Sequence, residues 1–497
     1  MTKLSKKLLP LLWVLIFIIV LPSLAKSINP DSDTFFLAAA GRYIVENGEI
    51  PTVNPFVIHE NFGIVIQQWG FDVIIYSMYN AMGNFGLVLY ILITFGLFLF
   101  VLWKYIGLYT EKPIVKAMAG MLAAGIFLRF AVARPTTLTV ILLFSYLFFL
   151  EKYYRTKKWQ WLIALPVISL IQINVHSSMW VMLFVYSLPF FVPAYIPKRG
   201  EWKSGIQDWW NKHKLVFVAT CAALVCGLAN PYGLNGILYL FNSYGSAKGA
   251  NISEMMAPTP FSIIWWPCAI SAVLVIAYFA MNIKKLTKEN TSLNIVAKVC
   301  MAAGATIMSF MHIRNKWFLI IGVLPIVIFF LEKLPPLPFE KNEENPKART
   351  IAVSALTCIA IALSVFMFAT HSYSTSTTVD SNYSPINALE YLETKNKDNV
   401  VLYTEFNNGA FFEWNRYKIY IDARPELYDK KINGQKEVMK EWLSVVNGTA
   451  DYEQFLNDYN FTHLVVDNKP LYDYLNTRDD YQVVVEGNGY FLFEHVS

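Results

Sequence analysis

The chain has 497 residues, 55% of them hydrophobic and 16% aromatic, with a mean hydropathy of +0.39 and a formal net charge of +5. Soluble domains run at about 45–50% apolar, so the composition points to a polytopic membrane protein carrying a soluble appendage. The charge is modest and no basic block interleaves with aromatics, which argues against a nucleic-acid partner.

A membrane span needs about 20 apolar residues. Candidate runs lie near 8–25, 84–106, 114–132, 135–151, 160–175, 177–196, 214–230, 261–282, 293–311, 316–332 and 350–369, about eleven spans on that measure. The first run also has the outline of a signal peptide, with a basic start and "SLA" at 23–25. Residues 64–82 ("IVIQQWGFDVIIYSMYNAM") carry Gln67, Gln68, Asp72 and Asn80. They are expected to form an amphipathic interfacial or re-entrant helix.

Orientation follows from the basic segments. Residues 2–7, 151–158, 198–214, 284–290 and 332–349 gather the Lys and Arg residues between apolar runs. With eleven spans and a cytoplasmic N-terminus, all of them face the cytoplasm, as the positive-inside rule requires. This topology sends the C-terminal region to the outer face. The expected organisation is a transmembrane domain over 1–369, with a first outer loop at 26–83, and an extracytoplasmic α/β domain over 370–497.

In that outer domain, "VVLYT" (400–404), "KIYIDA" (418–423), "HLVVD" (463–467), "YQVVVEG" (481–487) and "YFLFEHV" (490–496) have the β-branched and aromatic content of short strands. "QKEVMKEWLSVV" (435–446) and "ADYEQFLNDY" (450–459) have helical spacing. The five cysteines, Cys221, Cys226, Cys268, Cys300 and Cys358, fall in or beside apolar runs. They are expected to be small buried hydrophobes, neither a disulfide framework nor a metal site.

Unusual polar residues gather on the outer side of this topology. Asp31, Asp33 and Arg42 lie on the first loop. Arg129, Arg134, Asn174, His176, "NPYG" (230–233), His312 and Arg314 end spans there, and Glu254 lies on the loop after "NPYG". Each has an ordinary alternative: an interfacial anchor that snorkels, a helix-stopping turn or a solvated loop. Together, two carboxylates and several cations near one leaflet form a functional-site hypothesis. Arg binds phosphate or pyrophosphate through paired hydrogen bonds. A carboxylate within reach of an acceptor hydroxyl can act as general base. Cations stabilise charge developing on a leaving phosphate. These parts suit sugar transfer from a lipid-linked phosphate. No dinucleotide-binding fingerprint and no Walker loop is present.

The run from "DSDTFFLAAAGRYIVENGEIPTVNPF" through "QQWGFDVIIYSMYNAMGNFGL", "ARPTTLT", "INVHSS", "NPYG" and "MHIRNKWFLIIGVLPI" to "FNNGAFFEW" and "YIDARPELY" resembles the GT-C superfamily of polytopic glycosyltransferases, which use polyprenyl-phosphate-linked sugars. The resemblance covers nearly the whole chain and is nearest to bacterial members with a C-terminal outer domain. It implies an inverting glycosyltransferase of the cell membrane. The donor would be a polyprenyl-phosphate sugar, and the acceptor an envelope glycan, lipid or protein.

By position it makes Asp33, eight residues before Gly41, the base that activates the acceptor, with Asp31 as its companion and the alternative carrier of catalysis. Arg134, His176, His312, Arg314 and Arg129 are assigned to the donor phosphate. Asp422, Arg424 and Glu254 are assigned to the acceptor, although an Asp–Arg ion pair inside the outer domain accounts for the first two equally. No cofactor is implied; a divalent metal held by Asp31, Asp33 and Glu254 is the alternative. Relatives often carry His where this chain has Leu37. A lipid-linked glycan polymerase or ligase is a competing function, as is a non-enzymatic transporter or scaffold. A transporter would place its polar residues near the bilayer midplane in matched halves.

Overall fold

A computed structural model describes residues 13, 31–127, 131–192, 202–243, 256–262, 265–285, 295–335 and 380–496. Taken in chain order, the first helices are α1 (Ser32–Asn47), α2 (Trp69–Met82), α3 (Asn84–Ile106), α4 (Pro113–Phe127), α5 (Thr136–Thr156) and α6 (Ala164–Val175). They are followed by α7 (Val181–Ser187), α8 (Trp202–Cys226), α9 (Gly233–Asn242), α10 (Trp265–Asn282), α11 (Ile295–Met311) and α12 (Trp317–Glu332). Among the described residues the apolar runs between 84 and 332 are largely helical, although the run at 177–196 is broken into a seven-residue α-helix, Val181–Ser187, between two 3-10 turns. The runs 8–25 and 350–369, and with them the signal-peptide question, lie outside the described residues. The chain groups into two compact units. One holds residues 91–229 and 253–372, together with residues 1–27. The other holds 28–90, 230–252 and 373–497.

The first unit is a helical membrane body. The segments Asn84–Ile106, Thr136–Thr156, Trp265–Asn282 and Ile313–Glu332 are long and apolar enough to cross a bilayer. Side chains such as Ile93, Leu97, Phe100, Val218, Val225, Val273 and Ile276 stand exposed on it. Water would penalise such a surface, whereas lipid accepts it. Inside, Cys268, Val275 and Tyr278 of α10 pack with Ala302 of α11 and Leu319, Val323 and Ile326 of α12. Gly322 lets α12 approach α11: a Cβ there would stand 2.4 Å from Ala305 Cβ, the small-residue contact typical of membrane helices. Buried hydroxyls tie helices together. Ser271 Oγ meets Thr306 Oγ1 at 3.0 Å, and Ser169 Oγ donates to the Ala223 carbonyl at 2.6 Å while accepting from Trp180 Nε1 at 2.7 Å.

The second unit joins the first outer loop to the C-terminal residues. Its later elements are α13 (Ile386–Glu393), β1 (Leu402–Tyr403), α14 (Gly409–Trp414), α15 (Lys430–Asn433), α16 (Val438–Val446), α17 (Tyr452–Tyr459), β2 (His463–Val466), α18 (Lys469–Leu475), β3 (Tyr481–Gly487) and β4 (Tyr490–His495). The sheet order is β1-β2-β4-β3. β1 runs parallel to β2, and β4 is antiparallel to both β2 and β3. β2 is buried along its whole length, as a central strand covered on both faces should be.

The expected strand at 418–423 is not one. Ile419 instead makes single bridges to Leu402 and to Val57 of the first loop. Its N–H donates to the Phe56 carbonyl at 3.0 Å, and its carbonyl accepts from Ile58 N at 2.9 Å. The apolar residues of "KIYIDA" are buried and Ile419 is bonded to the first loop, so their hydrophobicity marks a seam between distant segments of the chain rather than a ladder. Of the amphipathic stretch expected to be helical at 64–82, residues 69–82 form α2, 14 residues long and too short to span.

Gly41 sets the crossing of α1 and α2. A Cβ at Gly41 would lie 2.0 Å from the Asp72 carbonyl oxygen, and backbone cannot yield as a side-chain tip can. Gly41→Ala is therefore expected to cost at least the ~1–3 kcal/mol of ordinary overpacking. A lowered thermal midpoint of the purified protein would show it, and an unchanged midpoint would refute the close crossing.

Candidate functional site

Asp31 and Asp33 stand at the start of α1 in different positions. Asp31 is the N-cap: its Oδ1 accepts from Thr34 N and from Thr34 Oγ1, both at 2.9 Å. Asp33 lies in the first turn and is half-buried. Phe36, one turn further along the same face, has the Arg424 guanidinium 4.9 Å from its ring centroid. The charge of Asp33 also bears on Glu426, two residues beyond Arg424. Burial, reinforced by Asp33 and Asp422, holds the Glu426 carboxyl above the usual carboxylate range. Leu37 is buried, only 2% exposed, and serves the core of this unit.

Asp422 and Arg424, expected at the acceptor, are both buried. Asp422 is wholly buried. Arg424 Nε stands 3.1 Å from both Asp422 oxygens, its Nη2 also bonds Asp422, and it reaches Glu413 Oε2 at 2.7 Å. These bonds from Nε and Nη2 make the Asp–Arg ion pair that the alternative reading expects. Burial works against ionisation of Asp422, but the Arg424 charge and its hydrogen bonds outweigh that and hold the carboxyl below its ordinary range. Asp72 completes the cluster from α2. It is 1% exposed, and neither carboxyl oxygen has a hydrogen-bond partner among the described residues. Burial raises it far above the ordinary range, with Arg424 opposing and Glu413 adding to the rise. The rise has a physical sense, since an ionised carboxylate buried without a hydrogen bond is costly.

The first loop and the C-terminal residues are fastened around this centre. Arg42 Nη2 donates to the Glu413 carbonyl at 3.1 Å, its Nη1 donates to the Trp414 carbonyl, and its guanidinium lies 4.8 Å from the Trp414 ring centroid. Phe35 meets Phe411 edge-on at 5.4 Å, and Arg416 binds Glu46 through two bonds of 2.6 and 3.0 Å. Gly409, the glycine of "FNNGAFFEW", is required by close approach: a Cβ would stand 1.9 Å from the Ile421 carbonyl oxygen.

Beyond the first strand, Glu405 is buried, and its Oε2 accepts from Trp442 Nε1 at 2.8 Å. Burial and the neighbouring Asp467 push its carboxyl up to about 8, against the hydrogen bonds from Trp442 and Asn468. The unfolded chain ionises Glu405 near the usual ~4.3. Its contribution to stability is therefore complete below that value and is lost as pH rises towards about 8. The thermal midpoint of the protein is expected to fall between pH 5 and 8, and Glu405→Gln should flatten that slope. An identical slope in the variant would refute the assignment.

The cations expected at the donor phosphate are placed in the first unit. His176 closes α6, and its Nδ1 lies 2.7 Å from Thr139 Oγ1 of α5. Gln172 Nε2 donates to that hydroxyl at 3.1 Å and to the His176 carbonyl at 2.9 Å. Thr139 in turn bonds the Pro135 carbonyl, which links His176 to the Arg134-Pro135 turn. Arg314 acts electrostatically on His176 from the turn Ile313–Lys316, which follows His312. Lys316, the last residue of "MHIRNK", is buried in that turn, and no spacing in the sequence sets it apart. Arg129 and Glu254 lie outside the described residues. Among the described residues no three His, Cys, Asp or Glu side chains gather to hold a metal ion. Glu413 and Glu426 lie within the quoted motifs without a pattern that marks them, and Asp72 is marked only as a polar residue of the amphipathic stretch.

No protein-family model matches the chain, and no curated protein matches it in sequence. Solved structures do. The apo crystal structure of ArnT from Cupriavidus metallidurans superposes with a TM-score of 0.55 at 12% identity, covering 97% of each chain. The structure of the same protein bound to undecaprenyl phosphate gives 0.57 at 12% identity, covering 98% of each. The chain shares the fold of these structures, and four of its described helices are long and apolar enough to cross a membrane.

Proposed function

We propose that this membrane protein of GT-C fold transfers a sugar from a polyprenyl-phosphate-linked donor to an envelope acceptor at the outer face, with Asp33 as general base. The observation that carries the proposal is the likeness, over 98% of both chains, to a structure that holds undecaprenyl phosphate. In the proposed reaction, Asp33 takes the proton from an acceptor hydroxyl as its oxygen attacks the sugar C1. The bond from C1 to phosphate oxygen breaks, and the polyprenyl phosphate leaves with the electron pair. One displacement inverts the anomeric carbon. Arg134, His176, His312 and Arg314 are proposed to bind the phosphate and stabilise its growing charge. Asp31 is proposed to serve as the cap that holds Asp33 in the first turn.

The test is transfer of label by the purified full chain from radiolabelled polyprenyl-phosphate sugars to envelope glycan, lipid and protein fractions. A labelled product of inverted configuration supports the proposal. Failure of every donor to react with every fraction, by a folded protein, overturns it.

A further inference from the structure

The cluster around Arg424 leaves unassigned the place where an acceptor would rest. Within the second unit, a cavity of about 490 Å³ opens between the end of α1, the start of α2 and the "NPYG" turn, a size usual for small-molecule sites. We infer that this cavity is a saccharide subsite, taking an uncharged or amine-bearing sugar ring stacked on Trp69 and Tyr232 with its hydroxyls towards Glu49 and Thr52. The assignment as acceptor subsite rests on the glycosyl-transfer proposal; the binding itself does not.

The walls are built for it. Tyr232 is held rigidly: its hydroxyl accepts from Ile66 N and donates to the Pro51 carbonyl, both at 3.0 Å. Asn230 fixes the turn that presents it, accepting from Tyr232 N at 3.0 Å and donating to the Gly233 carbonyl at 2.9 Å. On the other side, Gly48 ends α1 in the left-handed conformation, φ 69°, its N–H bonded to the Ile44 carbonyl. That reversal brings Glu49, Ile50 and Thr52 to the rim. Tyr43 Oη donates to Glu49 Oε1 at 3.2 Å and steadies the carboxylate.

The chemistry of the lining selects the ligand. Aromatic rings and the aliphatic Ile50 and Pro231 suit the C–H face of a sugar, and such rings cost little entropy to hold in place. A carboxylate and a hydroxyl at the rim suit its edge. None of the lining residues is cationic, so a phosphate finds no charged fork here. An acyl chain would leave Glu49 and Thr52 facing hydrocarbon.

The experiment is saturation-transfer NMR and titration on the full chain in lipid nanodiscs. The probes are the methyl glycosides of glucose, galactose and mannose, N-acetylglucosamine, glucosamine and glucose 6-phosphate. At least one uncharged or amine-bearing sugar is expected to bind, and glucose 6-phosphate to bind less well. Trp69→Ala should weaken the bound sugar about three- to tenfold. Should that variant not fold, Glu49→Gln, at an exposed rim position, must also weaken binding. Three outcomes would each overturn the inference: no saturation of any uncharged or amine-bearing probe, preference for the phosphorylated sugar, or unchanged binding in the folded variants. Binding without label transfer removes the glycosyl-transfer proposal and keeps the subsite. Label transfer without binding removes the subsite alone.

Discussion

Asp33→Asn is expected to lower the initial rate of sugar transfer by about 10²–10⁴-fold, with the protein folded as before. Asn keeps the size of the side chain and removes the proton acceptor. Asp31→Asn is the matched control. Asn caps a helix as well as Asp does, so the bonds from Thr34 N and Thr34 Oγ1 to position 31 have an acceptor in the variant and turnover should stay close to wild type. Asp31→Ala loses the cap and is expected to cost about 1 kcal/mol of stability. The rates are measured with a radiolabelled polyprenyl-phosphate sugar, and the folds by thermal midpoint. If folded Asp31→Asn were as inactive as Asp33→Asn, the division of labour between cap and base would be wrong.

Arg424→Met should be the most damaging substitution in the second unit. The guanidinium compensates Asp422 directly, bonds Glu413 and opposes the rise at Asp72. Removing one partner of a buried ion pair strands the other, at about 3–5 kcal/mol. Replacing both partners with apolar groups is much milder, so Arg424→Met with Asp422→Leu should recover part of the loss. Denaturant unfolding of the single and double variants checks both statements. A single variant within about 1 kcal/mol of wild type, the value of an exposed pair, would show that the cluster is solvated rather than buried.

Much of the fold could be read from periodicity and length. The apolar run at 84–106 is α3 to the residue, and "YQVVVEG" is β3, because local hydrophobic pattern decides both. "KIYIDA" misled for a physical reason. Strand-like hydrophobicity reports burial, and here the bonded partner of Ile419 is the first loop, more than 350 residues away. The two acids of "DSD" were legible as a pair, but only the cap geometry tells them apart. Gly41 and Gly409 were visible as motif glycines, yet the carbonyls they accommodate belong to Asp72 and Ile421, contacts that no local pattern encodes. Asp72 resembled one polar residue on an amphipathic helix; its burial depends on Arg424.

The seam between Val57 and Ile419 sets a timetable for biosynthesis. Chains emerge from the ribosome N-terminus first, at roughly 5–20 residues per second. The helix bearing Asp33 is complete early, but Arg424 and the carbonyls of Glu413 and Trp414, to which Arg42 is bonded, follow some 370 residues later. At those rates the first loop must wait about 20–70 seconds for its partner, with Phe35, Phe36 and Phe56 uncovered meanwhile. Such long sequence separation slows closure. A ribosome-stalled chain ending before residue 400 should therefore leave this loop open to protease, and the finished chain should protect it.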